Sequence, residues 1–442
     1  IQCCVCYCSL WTGVCATQAQ LRVQIEYSTP HLKLLLPDTD SEIRDVVFHY
    51  AIHGPIHTAR AVRTSFGWQF SRDITEHVHS ITAYADVHYK NGLAITTTRH
   101  TLTADTQNVI LPGSRRIRAV LFREDFNQEF DPWNMHTWKV EVSMFGGRNW
   151  EFQVYTNDKK NVYTRDGNLY LAPVPTVNDP RFDENFLKTG TMDVAELWGL
   201  CTNNADYGCS RSGANGMLPP VMSGKVSSQP AIRYGTVEVR ARIPRGDWIW
   251  PAIWMMPKDS VYGVWPRSGE IDIMETRGNA GPLGVETVSS TLHWGDAWDN
   301  NKWSLTHAEK SSPAGKTWHD DFHVWKIERT PDHIKTFIDD QVILSVDAPA
   351  DGFWKFGGLS SNVWSSGSKM APFDQDFYLI LNVAVGGING YFSDTANWGV
   401  RKPWANNSPH ANLDFWTARD DWLPTWQGDQ SALVVDYVEF RD

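Results

Sequence analysis

Between residues 236 and 243 the chain reads Thr-Val-Glu-Val-Arg-Ala-Arg-Ile, polar and apolar in unbroken alternation. Neighbouring side chains of a strand point to opposite faces, so the stretch predicts a strand with one core face, and Glu238, Arg240 and Arg242 look the other way. Phe377 to Val385 is almost wholly apolar and stops at Gly386-Gly387, the pattern of a strand buried on both sides, with Asn382 its odd polar member. Lys335 to Leu344 reads as a hairpin turning at Asp339-Asp340. Upstream, Val46 to Tyr50 and Ala83 to Tyr89 are further strands, with a turn at Asn91-Gly92 inside an apparent hairpin. Few segments carry helical periodicity with caps. The expected fold is all-β: two packed antiparallel sheets, a jelly-roll β-sandwich with one sheet curved into a cleft, preceded by a smaller β-sandwich.

One strand breaks the apolar rule. Residues 269 to 275, Gly-Glu-Ile-Asp-Ile-Met-Glu, set Glu270, Asp272 and Glu275 among residues that belong in a sheet interior. Alternation puts Glu270 and Asp272 on one face and throws Glu275 to the other. One extra residue, a bulge around Ile273-Met274, swings Glu275 back, and bulges collect beside active sites because they re-aim side chains. The Glu270 and Glu275 backbones then lie roughly 13 Å apart at about 3.3 Å per residue. Two side chains leaning inward across a concave sheet narrow that towards about 5 Å, the carboxyl separation of retaining glycosidases. Three crowded carboxylates do not all ionise cheaply, so one holds its proton, as a general acid must. A row of acids is more often a solvated surface, but this one is flanked by Trp250, Trp254 and Trp265 before it and His293 and Trp294 after it, in a chain with 22 Trp. Indoles stack on the flat C–H faces of sugars, and a tryptophan-rich cleft beside paired carboxylates points to carbohydrate.

Length and composition divide the chain. Its 442 residues exceed a usual single core. Residues 21–110 are near neutrality, hold eight of the 15 His and only Trp68, while the remainder carries almost all of the net charge of −11. The expected units are a β-sandwich module over 20–103, a linker over 104–118 around Pro112-Gly113-Ser114, and a large domain over 119–442. Residues 1–19 carry no charge and five of the seven Cys, and end in Ala-Thr-Gln-Ala, like the tail of a secretory signal peptide. Without them only Cys201 and Cys209 remain, a close pair that in an exported protein predicts a disulfide. Asn406-Asn407-Ser408 is a glycosylation sequon, weakened by Pro409. A secreted, extracellular protein accounts for all of these. His77-Val78-His79 is the tightest histidine spacing, and solvated strand positions explain it better than a metal site.

The acidic balance excludes nucleic acid as a partner and disfavours sulfated polysaccharides, leaving a neutral glycan. No stretch is apolar and long enough for a membrane span. A monomer is the expectation.

Gly269 to Glu275 is similar to the signature of glycoside hydrolase family 16, in the bulged form shared by endo-1,3-β-glucanases (laminarinases), agarases and carrageenases. Other stretches follow in the family's order: Phe126-Asn127, Cys201 to Cys209, Leu218 to Val221, Tyr234 to Glu238, Trp250 to Trp254, Leu292 to Gly295, Leu381 to Gly387 and Val435 to Val438. The resemblance covers about 119–442 and leans to the invertebrate β-1,3-glucan-binding proteins, whose amino-terminal module the stretches around Leu34 to Pro37, Val47 to Tyr50, Trp68 and Tyr89 to Leu93 resemble. It implies Glu270 as nucleophile, Glu275 as acid/base, Asp272 as electrostatic tuner, Trp250 and Trp254 as sugar-stacking residues and His293 in the same cleft. It implies no cofactor in the reaction, and a structural Ca²⁺ near Glu124 and Asp436. Met222 and Lys225 stand where arginines are expected in many relatives. The activity so implied is endo-hydrolysis of β-1,3-glucan with retention. Its rivals are a β-glucan recognition protein of innate immunity that does not cut, which the three retained carboxylates disfavour, and a β-glucan transglycosylase.

Overall fold

Two sheets of the larger unit trap its core between them. The computed structural model describes residues 120–442 and, before them, 23–28, 31–36, 42–52, 55–64, 67–74, 80–97 and 99–103. The chain divides into two compact units between Arg116 and Ile117. Residues 1–19, the linker stretch 104–118 and the His77-Val78-His79 run lie outside the described residues.

In the larger unit one sheet runs, edge to edge, through Trp138–Val140, Lys225–Ile232, Phe377–Val385, Ile249–Pro257, Glu270–Glu275, Thr287–His293 and His307–Ser311. Every neighbouring pair is antiparallel. The second sheet includes Gly235–Arg242, Leu433–Arg441, His323–Arg329, His333–Ile338 and Gln341–Asp347. Val237, Val239 and Ala241 from this sheet and Ile271, Ile273, Leu379, Leu381 and Val383 from the first belong to one buried cluster. Burying a side chain of this size is worth about 1.5–3 kcal/mol. Glu238, Arg240 and Arg242 take the outer face, as alternation requires. The hairpin turns on Asp339 and Asp340, both at positive φ (48° and 64°), the primed turn that matches strand twist. Among the described residues no helix exceeds the seven residues of Ala411–Thr417, and none is long and apolar enough to cross a membrane.

The smaller unit pairs a four-stranded with a five-stranded sheet. Leu32, Leu34 and Leu36 from one and Val46, Phe48, Ile81, Ala83 and Ala85 from the other share a core. It is a β-sandwich.

Cys201 and Cys209 are disulfide-bonded with Cα atoms 5.7 Å apart. A cross-link over so short a loop removes chain entropy worth about 2.5 kcal/mol from the unfolded state. The Cys201→Ser/Cys209→Ser variant should therefore melt several degrees lower in a calorimeter, and an unchanged melting temperature would count against that stabilisation.

Candidate active site

The acidic strand carries the extra residue. Met274 pairs with Ile253, and Asp272 with the next residue, Trp254, so Ile273 has no partner there. The opposite neighbour shows the same slip between Asp272 and Glu275. Ile271, Ile273 and Met274 are all fully buried in the core, which leaves Glu270, Asp272 and Glu275 together on the face turned away from it. Glu270 stands opposite His293, Asp272 between Trp254 and Thr291, and Glu275 between Ala252 and Ser289.

Each acid is held by a nitrogen. Trp265 donates its indole N–H to Glu270 at 2.5 Å, and Trp250 donates to Glu275 at 3.0 Å. Asp272 Oδ2 lies 3.1 Å from His293 Nε2, a charge contact whose alignment falls short of a proper hydrogen bond. His293 Nδ1 is 2.8 Å from the Asn301 amide, whose oxygen accepts from the backbone N–H groups of Trp294 and Trp303. Burial first, then the neighbouring Glu275 and Glu270, push the Asp272 carboxyl well above the usual carboxylate range. Burial also raises Glu275, against the opposing pull of His293, the Trp250 hydrogen bond and Arg277. A carboxyl raised in this way holds its proton to higher pH, the direction a general acid needs.

Burial works against a charged His293, but the Asp272 contact and the charges of Asp272, Glu270 and Glu275 outweigh it and raise the imidazole from 6.5 to about 9. A raised folded value means that the stabilisation is whole below about pH 6.5 and is lost as the pH climbs through about 9. The gap in melting temperature between the parent and His293→Gln should therefore close across that window. A gap that stays constant with pH would contradict the pairing.

The cleft floor continues away from Glu275. Trp254 donates to Asn382 Oδ1 at 2.6 Å, Asn382 donates to the Tyr155 hydroxyl at 3.0 Å, and Tyr155 reaches Glu151 at 3.4 Å. The Lys225 ammonium sits 5.3 Å from the Trp254 ring centre and 3.3 Å from Glu141. Asn382, the odd polar residue of an apolar strand, thus belongs to the floor. Met222 is packed in the core.

Two of the expected sugar contacts are otherwise employed. Trp294 is fully buried against Phe353, Phe356 and Trp364 and donates to Thr306, because the residue after cleft-facing His293 must point into the core. Trp250 is not an open stacking face: Tyr391 lies flat on its ring at 3.8 Å and 8°. The Arg277 guanidinium covers Tyr391 at 3.9 Å, and Arg277 Nε donates to the Tyr391 carbonyl. Arg277, Tyr391 and Trp250 form a stack ending on Glu275, and no sequence pattern announced Tyr391 or Arg277. Trp254 is half-buried, and Trp265 is exposed beside Glu270. The Asn406 amide nitrogen, where a glycan would attach, instead donates inward to the Phe392 carbonyl at 3.0 Å. For calcium the donor set fits poorly: Glu124 caps the Phe126 N–H, and Asp436 is paired with the Arg240 cation, which repels a divalent ion.

The family description "Glycosyl hydrolases family 16" matches residues 198–372. A β-1,3-glucan-binding protein of Penaeus monodon is 48% identical over 333 residues, which is 71% of this chain and 88% of the relative. The chain belongs to family 16. The β-1,3-glucan-binding protein 1 of Galleria mellonella is 34% identical over 338 residues, and those span 75% of this chain and 65% of its own length. Among solved structures, the laminarinase of Rhodothermus marinus is 25% identical, covers 74% of this chain with 99% of its own, and superposes with a TM-score of 0.45.

Proposed function

We propose that the cleft binds β-1,3-glucan and hydrolyses it with retention of configuration. The observation that carries this is Glu270 and Glu275 on one face, either side of buried Asp272, each fixed by an indole N–H. In the first step the Glu270 carboxylate attacks the anomeric carbon, the bond to the leaving sugar breaks, and its oxygen takes the Glu275 proton. In the second, Glu275 removes a proton from water, whose oxygen displaces Glu270 and frees the sugar. His293 offsets negative charge around Asp272. A neutral glucan suits an acidic chain of net charge −11.

A second reading, glucan recognition without cutting, is favoured by the relatives' names, which record binding. Incubating the full chain with laminarin separates the two: released reducing ends, with the first product in the β-configuration, support hydrolysis. Tight binding without released sugar would establish recognition alone. Secretion is proposed too, supported by the disulfide and by the uncharged, cysteine-rich residues 1–19. The smaller unit is proposed as a second glucan contact that raises effective concentration at an insoluble polymer.

A further inference from the structure

Two neighbouring loops at the edge of the larger unit hold bulky residues in a backbone conformation that L-residues avoid. Arg148 and Trp150 in one have φ of 62° and 53°, and Asp206 and Tyr207 in the other have 48° and 64°. Glycine would sit at such positions without steric cost. Packing does not explain the aromatics, because Trp150 is 48% and Tyr207 74% exposed.

The loops are nonetheless firmly joined. Arg148 pairs with Asp206 at 3.2 Å, and Met144 N–H donates to the Gly208 carbonyl at 2.7 Å. Arg211 donates to the carbonyls of Met144, Asp206 and Tyr207 while its guanidinium lies 5.8 Å from the Trp150 ring centre. The disulfide closes the base of the second loop. Exposed aromatics on a rigid, conformationally costly frame are what a binding surface requires and what packing does not.

Trp150 is also continuous with the cleft. It precedes Glu151, the end of the floor chain through Tyr155 and Asn382 to Trp254. The carbonyl of Asn149 accepts from Ile388, in the loop that carries Tyr391. We propose that Trp150 and Tyr207 form a stacking platform for sugar units of a β-glucan chain that extends beyond the Trp254 side of the cleft. This rests on the glucan reading above and adds a site outside the catalytic row. The occupant is a glycan because the platform offers flat apolar rings rimmed by Arg148 and Arg211, groups suited to C–H faces and hydroxyls together.

The test uses the full chain with Glu270→Gln, so that ligand is not consumed, with and without Trp150→Gly/Tyr207→Gly. Calorimetric titration with a short laminari-oligosaccharide and with long laminarin should show equal affinity for the short ligand. For the long one, the loop variant should bind on the order of tenfold more weakly. It should melt no lower than its parent, because glycine relieves the left-handed backbone. The indole N–H signal of Trp150, assigned by its loss in the variant, should shift with laminarin and not with the short ligand. An unmoved Trp150 signal with long-chain affinity intact would overturn the platform alone. A parent that binds neither ligand would remove the glucan reading and the platform with it.

Discussion

Glu270→Gln is expected to lower laminarin hydrolysis by roughly four orders of magnitude while leaving laminarin affinity close to the parent's, because an amide does not attack the anomeric carbon but keeps the side chain's shape. The oxygen of the new amide still accepts from the Trp265 indole, which in the parent holds a Glu270 carboxylate oxygen at 2.5 Å. The strand register, set by core residues Ile271 and Ile273, is untouched. Reducing-end release and equilibrium binding, measured side by side, check both halves. A variant as fast as the parent would take Glu270 out of the chemistry. Lost binding together with lost rate would mean that the carboxylate serves the ligand and not the reaction.

Tyr391→Leu should also be costly, although Tyr391 stands outside the acidic row. Its ring fills the space between Arg277 and Trp250, and Trp250 in turn holds Glu275. Without the ring, the indole is free to tilt and the donor to Glu275 is misplaced, an error that costs about a hundredfold when a reacting group shifts by about an ångström. The pH profile gives a sharper sign. The Trp250 hydrogen bond and the Arg277 charge both pull Glu275 down against burial, so loosening them raises it further. Catalysis needs Glu275 protonated in the first step, so the alkaline limb should move to higher pH. Tyr391→Phe should restore both rate and profile, since the buried hydroxyl has no hydrogen-bond partner among the described residues. A lowered rate with an unmoved limb would reduce the stack to general packing.

The sequence made some of this plain and hid the rest, and the reason lies in what alternation encodes. A period of two tells which face a side chain takes, so the kink at Ile273 was readable from three acids that had to share a side. The same rule, applied to consecutive His293 and Trp294, places one in the cleft and the other in the core. The number of tryptophans near the acids therefore exceeds the number of rings that face the cleft. Alternation is silent on what covers a face. Trp250 lies on the cleft side but under Tyr391, a residue delivered by a loop after the strand Phe377–Val385. The inward turn of Asn406 depends on a backbone carbonyl of that same loop and leaves no local signature. Asn382 was visible as an anomaly, yet its purpose appears only once Tyr155 and Trp254 stand on either side of it.

The unpaired Ile273 separates two properties that look like one. Excising that single residue would leave a plain five-residue run, Glu-Ile-Asp-Met-Glu, whose acids fall on a common side by simple alternation. What would vanish is the local kink and extra twist that the unpaired residue gives the strand. Which acids share the face is therefore written in which residues are present, whereas the shape of the strand that presents them is written in how many lie between them.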